Sequence, residues 1–349
     1  FYGVDADAFA FSQFIQKFLT KYGRWNSPKY LFGESYGTPR SAVLVNMLQD
    51  AAVDFNGVIL LSQILNFSSL VDLAEMNPGV DVPYTVVLPT YAATAWYHHK
   101  LPGERPADLP AFLKEVEGFA MRDYTMALAA GASLPDDQRK AIAEKLHRYT
   151  GLPVAYILKA NLRVTGGEFE KNLQDDANLT TGRLDSRFAG PTIDPLSKEA
   201  EYDPQSSAIS SAYVSAFNEY VRKTLNYGQD REFKPEIDVF MKWDFKHRQP
   251  GAPFALGALA NVLPDLATAM KTNPRLKVML LGGYFDVATP YYQGIYEMQH
   301  LPIPQNLQAN ISYHYYQSGH MVYANEEALK QMHAHLAEFI RATNNVPSK

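Results

Sequence analysis

The sequence predicts an α/β protein: a mostly parallel sheet interrupted by a mainly helical insertion. Three observations carry this. Apolar runs of strand length lie at 29–32, 58–61, 276–281 and 311–316. Segments with helical spacing of apolar residues accompany them, the alternation that parallel βαβ units require. The stretch 76–250 offers helical patterns and no comparable strand. The 349 residues therefore divide into a first core part at 1–75, an insertion at 76–250 and a second core part at 251–349. A chain this long exceeds the ~250–300 residues at which single cores stop growing.

Taken in order, Phe11, Phe14, Ile15, Phe18 and Leu19 recur at helical spacing and predict a helix over about 7–22, stopped by Gly23. Lys29-Tyr30-Leu31-Phe32, bounded by Pro28 and Gly33, reads as a buried strand. A helix over 39–49 and a second buried strand, Val58-Ile59-Leu60-Leu61, follow. Residues 78–106 are rich in Pro and aromatics and show no clear period. Phe112, Val116 and Phe119 share a helical face. Ser133-Leu134-Pro135-Asp136 resembles a capping box ahead of a helix carrying Ile142, Leu146 and Tyr149. The stretch 166–204 is polar and reads as loop, and Ile209, Tyr213, Phe217, Tyr220 and Val221 mark an amphipathic helix over 207–225. The core pattern resumes with a helix over 256–271, strands ending at Leu281 and Tyr316, and a closing helix over 325–342.

Composition removes several classes of function. With no cysteine there is no disulfide, thiolate metal site or cysteine nucleophile. A formal net charge of −5 without a basic block argues against nucleic acid. No run reaches 18 apolar residues, so no membrane span is expected. The chain opens on Phe1-Tyr2-Gly3 without an initiator Met, which suggests that a natural N-terminus is missing.

The chemistry concentrates in three places. Gly33-Glu34-Ser35-Tyr36-Gly37 is a G-x-S-x-G pentapeptide between a predicted strand and a predicted helix. A sharp turn there lifts the serine above the sheet, and the flanking glycines relieve crowding. Ser35 is thus a candidate nucleophile, the plain alternative being a turn serine. The Tyr36 N–H, at a helix N-terminus, is a candidate oxyanion donor. A serine hydroxyl needs a base, and the base an orienting acid. Asp286 and His320 each lie just beyond a predicted strand, in the order Ser, Asp, His and on the rim expected for Ser35. The other histidines are weaker candidates. His98-His99 lack a third ligand, His333 and His335 face different sides of a helix, and His314 sits within a strand. No metal or other cofactor is called for.

These motifs resemble those of the serine carboxypeptidase family of α/β-hydrolases, the bacterial members more than the disulfide-bearing eukaryotic ones. Gly33-Glu34-Ser35-Tyr36-Gly37 is similar to the family's nucleophile motif, Gly282-Gly283-Tyr284-Phe285-Asp286 to its aspartate motif, and Ser318-Gly319-His320-Met321-Val322 to its histidine motif. The resemblance implies a catalytic triad of Ser35, Asp286 and His320, a helical cap, and release of C-terminal amino acids from peptides with a free C-terminus. It further implies that Glu34 faces the substrate carboxylate and that the protein is exported, periplasmic or secreted. Two departures stand out. Only four core strands are visible, and the family's Gly-Gly-rich oxyanion segment, its Asn and its second Glu are absent. The expectation is a chain that forms the C-terminal part of a longer protein, with an upstream segment as partner. Esterase or acyltransferase chemistry, and an inactive binding or scaffold fragment, are the rival readings.

Overall fold

The structure, a computed structural model, describes residues 1–345. Its centre is a four-stranded sheet of β1 (Tyr30–Glu34), β2 (Gly57–Leu61), β5 (Lys277–Gly283) and β6 (Ile311–Tyr316), in the spatial order β1-β2-β5-β6 and parallel throughout. Strands β3 (Leu179–Thr181) and β4 (Ala189–Pro191) form a small antiparallel pair in the insertion. The run Val58–Leu61 is buried because both faces of the sheet are covered. Helices α1 (Val4–Tyr22), α2 (Gly37–Asp50) and α10 (Leu263–Thr272) pack around one face through Leu19, Leu44, Leu48 and Leu266, against Val58 and Leu60. On the other face α12 (Glu326–Thr343) brings Met332 and Ala328 against Ile59, Leu61, Met279 and Leu281. β1 lies at an edge of the sheet, and Phe32 on it is half exposed.

The insertion has its own apolar core, from α3 (Val82–Tyr97), α4 (Leu109–Phe119), α5 (Thr125–Ala130), α6 (Asp136–Thr150), α7 (Val154–Lys159) and α8 (Gly166–Asn172). α3 occupies the segment whose sequence shows no period. It is apolar all round and buried along almost its whole length, so there is no amphipathic pattern to read. Phe285, Val287 and Tyr291, the last at the start of α11 (Tyr291–Gln299), join the same cluster and tie the insertion to the sheet.

Several expectations require correction. Ser133 makes no capping box. Its hydroxyl donates to Ala130 O, and α6 starts at Asp136 behind Pro135 with no side-chain cap. A capping box does form where the polar stretch read as loop begins: Thr165, just before it, and Glu168 exchange hydrogen bonds at the start of α8. The helix expected from 256 begins only at Leu263, with Pro264 in its first turn, where its missing N–H costs nothing. The aromatic stripes of α1 and of α9 (Pro204–Glu219) do not pack inward. Phe11, Phe14, Phe18, Tyr213 and Phe217 are exposed. The predicted stop at Gly23 is formed, with a left-handed φ of 61° and Arg24 N–H donating to Leu19 O.

The segment entering α10 is held by one charged clamp. His247 is buried, with Nδ1 2.5 Å from Asp5 Oδ1 and Nε2 2.7 Å from Asp265 Oδ2. Burial works against a charged ring, but the hydrogen bonds and charges of Asp265 and Asp5 push its pKa up to about 9. Removing one member of a buried ion pair leaves the other uncompensated, so His247→Ala should cost about 3 kcal/mol near neutral pH. The folded pKa lies above the ordinary value of about 6.5. The contribution of His247 is therefore complete below that value and fades as pH rises through about 9. Urea denaturation of both proteins checks this: the gap in stability should be wide at about pH 6 and clearly narrower at about pH 10.

Candidate active site

β1 turns into α2 within three residues. A Cβ on Gly33 would lie 2.0 Å from Gly37 O and 2.7 Å from Ser41 Oγ, so only glycine permits this approach. Ser35 sits in the turn at φ 52°, a left-handed conformation that is strained for a side-chain-bearing residue. The surroundings hold it there. Ser35 N–H donates to Leu61 O at 3.0 Å, while Ser35 O accepts from Thr38 N at 2.9 Å and Thr38 Oγ1 at 2.7 Å. Ser35 is half-buried at the carboxyl edge of the sheet. Tyr36 caps the N-terminus of α2, which places its N–H at the positive end of the helix dipole. Its ring packs edge-on against Trp243 at 5.1 Å, and its hydroxyl accepts a 3.0 Å hydrogen bond from Trp243 Nε1.

Asp286 and His320 meet directly. Asp286 is fully buried three residues past β5, and His320 is buried four residues past β6. Asp286 Oδ2 lies 2.8 Å from His320 Nδ1 and accepts from Thr289 Oγ1 at 2.7 Å, while Oδ1 accepts from Thr289 N at 2.9 Å. Backbone bonds flank the imidazole: His320 N–H donates to Leu184 O at 2.6 Å, and His320 O accepts from Ser62 Oγ at 2.6 Å. Burial disfavours the charged ring, yet the charge and hydrogen bond of Asp286, helped by Glu34, hold its pKa above the ordinary value against the opposing Arg183. The Asp286 contact fixes which nitrogen carries the proton, leaving Nε2 as the acceptor of the neutral ring.

Glu34, the last residue of β1, accepts from Tyr323 OH at 3.1 Å on each carboxylate oxygen. Burial raises its pKa and Asp286 adds to this, while His320 and the Tyr323 bond pull the other way; the rise prevails. The structure thus joins Asp286 to His320 and sets Glu34 in their electrostatic field. Ser35 lies on the same rim, with Leu61 bonded to it and Ser62, the next residue, bonded to His320. Among the described residues, no hydrogen bond links Ser35 Oγ to His320 Nε2. Such bonds often tighten only with substrate bound.

Elsewhere, three of the weaker histidines have close partners. His98 Nε2 is 2.6 Å from Ser186 O, and His314 stacks on His335 at 4.2 Å. Among the described residues, no group of three or more His, Asp or Glu side chains is arranged to hold a metal ion. Sequence reading missed Thr289, Ser62, Leu184 and Tyr323. Thr289 and Tyr323 each follow a candidate residue by three positions, a spacing that could have marked them; nothing local marks Leu184. Comparison with protein-family models, with curated proteins and with solved structures finds no match for this chain.

Tyr323→Phe removes the only side-chain donor to Glu34 among the described residues. Because that bond favours the ionised carboxylate, the Glu34 pKa should rise further in the variant. Carbon-detected NMR titration of the Glu34 carboxyl, assigned with Glu34→Gln, reads this directly; an unmoved midpoint would show that the hydroxyl does not tune the acid.

Proposed function

We propose that this chain carries the catalytic machinery of a serine-type carboxypeptidase on part of an α/β-hydrolase sheet. One observation carries the reading. A buried Asp286–His320 pair, hydrogen-bonded at 2.8 Å, stands on the same sheet rim as Ser35, which is held at φ 52° in a strand-to-helix turn. That combination of strained elbow, base and orienting acid suits acyl transfer.

In this reading His320 Nε2 takes the Ser35 proton as Oγ attacks the scissile carbonyl carbon. Asp286 keeps the ring in the productive tautomer and stabilises the imidazolium. The Tyr36 N–H donates to the developing oxyanion. His320 then protonates the leaving amine, and water, activated by the same imidazole, releases the acyl group from Ser35. Glu34 supplies the preference for a free C-terminus. Two ionised carboxylates at close range repel, so an acid whose pKa is raised can keep its proton and donate to the substrate carboxylate. The Tyr323 hydroxyl orients that acid.

An esterase or acyltransferase would use the same three residues. A catalytically silent binding or scaffold protein is the reading favoured by the missing Ser35–His320 hydrogen bond and by the half-exposed Phe32 on edge strand β1. A panel of N-blocked dipeptides and simple esters, with fluorophosphonate labelling of Ser35, separates the three. The carboxypeptidase reading requires labelling and turnover of free-acid peptides.

Ser35→Ala should abolish turnover, with a loss on the order of 10⁶-fold and an unchanged fold. His320→Ala should behave alike, and Asp286→Asn should lose about 10⁴-fold by mis-orienting the base. Steady-state kinetics with circular dichroism on the same preparations tests this; near-normal hydrolysis by clean Ser35→Ala protein rules out the nucleophile.

The pH dependence follows from two opposed demands. Glu34, with its raised folded pKa, grips a substrate carboxylate below that pKa and releases it as pH rises through it. His320 must lose its proton to act, and its raised pKa sets the acid limit. KM for a free-acid peptide should climb with pH, while KM for the amidated peptide stays flat. Glu34→Gln should level the first curve and leave the second alone. If the wild-type protein treats both peptides alike at every pH, the esterase reading moves ahead.

A further inference from the structure

The polar stretch between α8 and α9 threads between the two loops that carry Asp286 and His320. Arg183 O accepts from Val287 N at 3.0 Å, and Ser186 N donates to Phe285 O at 2.9 Å, so this strap is bonded on both sides of Asp286. Between those two bonds Leu184 O accepts the His320 N–H at 2.6 Å. The strap therefore holds the acid loop with one hand and the base with the other. Its own course is fixed by Asp203 Oδ2, which accepts from Leu184 N at 3.0 Å.

An ion pair completes the junction. Asp185 is buried, and the Arg187 guanidinium grips it with Nε at 2.9 Å from Oδ1 and Nη2 at 2.6 Å from Oδ2. Arg187 Nη1 reaches across to Gln317 O at 2.7 Å, three residues before His320, and its Nη2 lies 3.5 Å from Ser318 Oγ. The fork geometry of arginine lets one side chain serve both partners. Fit is close on the other side too. A Cβ on Gly319 would stand 2.4 Å from Leu184 O and 2.5 Å from Asp185 Cβ, so the histidine loop lies directly on the strap.

We propose that the Asp185–Arg187 pair is a positioning device for His320, fixing the histidine loop against the strap so that the imidazole stays on Asp286. The inference rests on the proposed hydrolase reading for its catalytic consequence, but its structural content stands apart from it. The charged groups facing the imidazole are Asp286 from the acid loop, Glu34 from β1 and Arg183 from the strap, and Thr289 Oγ1 lies 3.2 Å from its Nδ1. Of these, Asp286 is the partner whose contact depends on both loops being held. Loosening the loop weakens that contact, lets the His320 pKa fall toward its ordinary value, and misaims Nε2 at Ser35. Misplacement by about 1 Å can cost on the order of 10²-fold in rate.

Removing Arg187 alone strands a buried carboxylate, so the test uses Asp185→Asn/Arg187→Met, which removes the pair together, with Arg187→Lys as the conservative variant. The His320 ring is titrated by NMR in each protein with labelled histidine, assigned through His320→Gln. Fluorophosphonate labelling of Ser35 is followed against pH, and thermal melts record stability. In the double variant the His320 midpoint should move down, the acid limb of labelling should move with it, and the plateau rate should fall about tenfold to a hundredfold. Arg187→Lys, which keeps the charge but loses the fork, should fall between it and wild type. A purely structural pair would lower the melting temperature and leave the His320 midpoint in place; that result overturns the proposal, whatever the labelling rate does. If the midpoint moves while wild type shows no labelling, positioning stands and the hydrolase reading falls.

Discussion

The site depends on one register. β5 lies parallel to β6 with Gly283 opposite Tyr316, and the pairing continues past the strands through Tyr284 N to Tyr316 O and Phe285 N to Ser318 O. Parallel neighbours deliver their chains to the same rim, so the loop carrying Asp286 and the loop carrying His320 leave the sheet side by side. A slip of one residue would turn every side chain of β6 to the other face and part the two groups. The junction is tight enough to forbid side chains. A Cβ on Gly283 would stand 2.0 Å from Ser318 O.

Burying Asp286 completely is costly unless the carboxylate is fully hydrogen-bonded. Thr289 and His320 supply those bonds, and the backbone of the insertion fixes the loops on either side. The insertion is therefore more than a cover over a finished site. Phe285 and Val287, the neighbours of Asp286, are part of its apolar core. Its packing and the placement of the acid are one structural problem.

Much of this was legible in the sequence where the signal is local. The four core strands, the turn at Ser35 and the order Ser, Asp, His follow from short apolar runs and the residues at their ends, and the strands stand within a residue or two of their expected bounds. Legibility failed where burial is set by distant partners. α3 has no period because it is buried all round, and the stripe on α1 reads as a core face although Phe14 and Phe18 are exposed. The Ser133 pattern has the right letters for a capping box, but the helix starts beyond it, while the box at Thr165 opens a stretch whose polarity suggests only loop. The strap is illegible for a related reason. Its bonds to Phe285, Val287 and His320 are backbone bonds, which leave no mark on residue type.

The sheet order has a consequence for how the chain acquires this structure. β2 and β5 are neighbours, yet residues 62–276 lie between them. Loop closure over such a span adds little to the equilibrium cost, which grows only with the logarithm of length. It weighs heavily on rate, because non-local parallel pairing stabilises nothing until both strands have met. The helices of the insertion are close in sequence and can assemble while β5 is still absent. During that interval Val58, Ile59, Leu60 and Leu61, four consecutive apolar residues, have β1 on one side and lack β5 on the other. The geometry that gathers residues 35, 286 and 320 onto one rim thus sets refolding in competition with self-association, and dilution or a chaperone favours the native outcome.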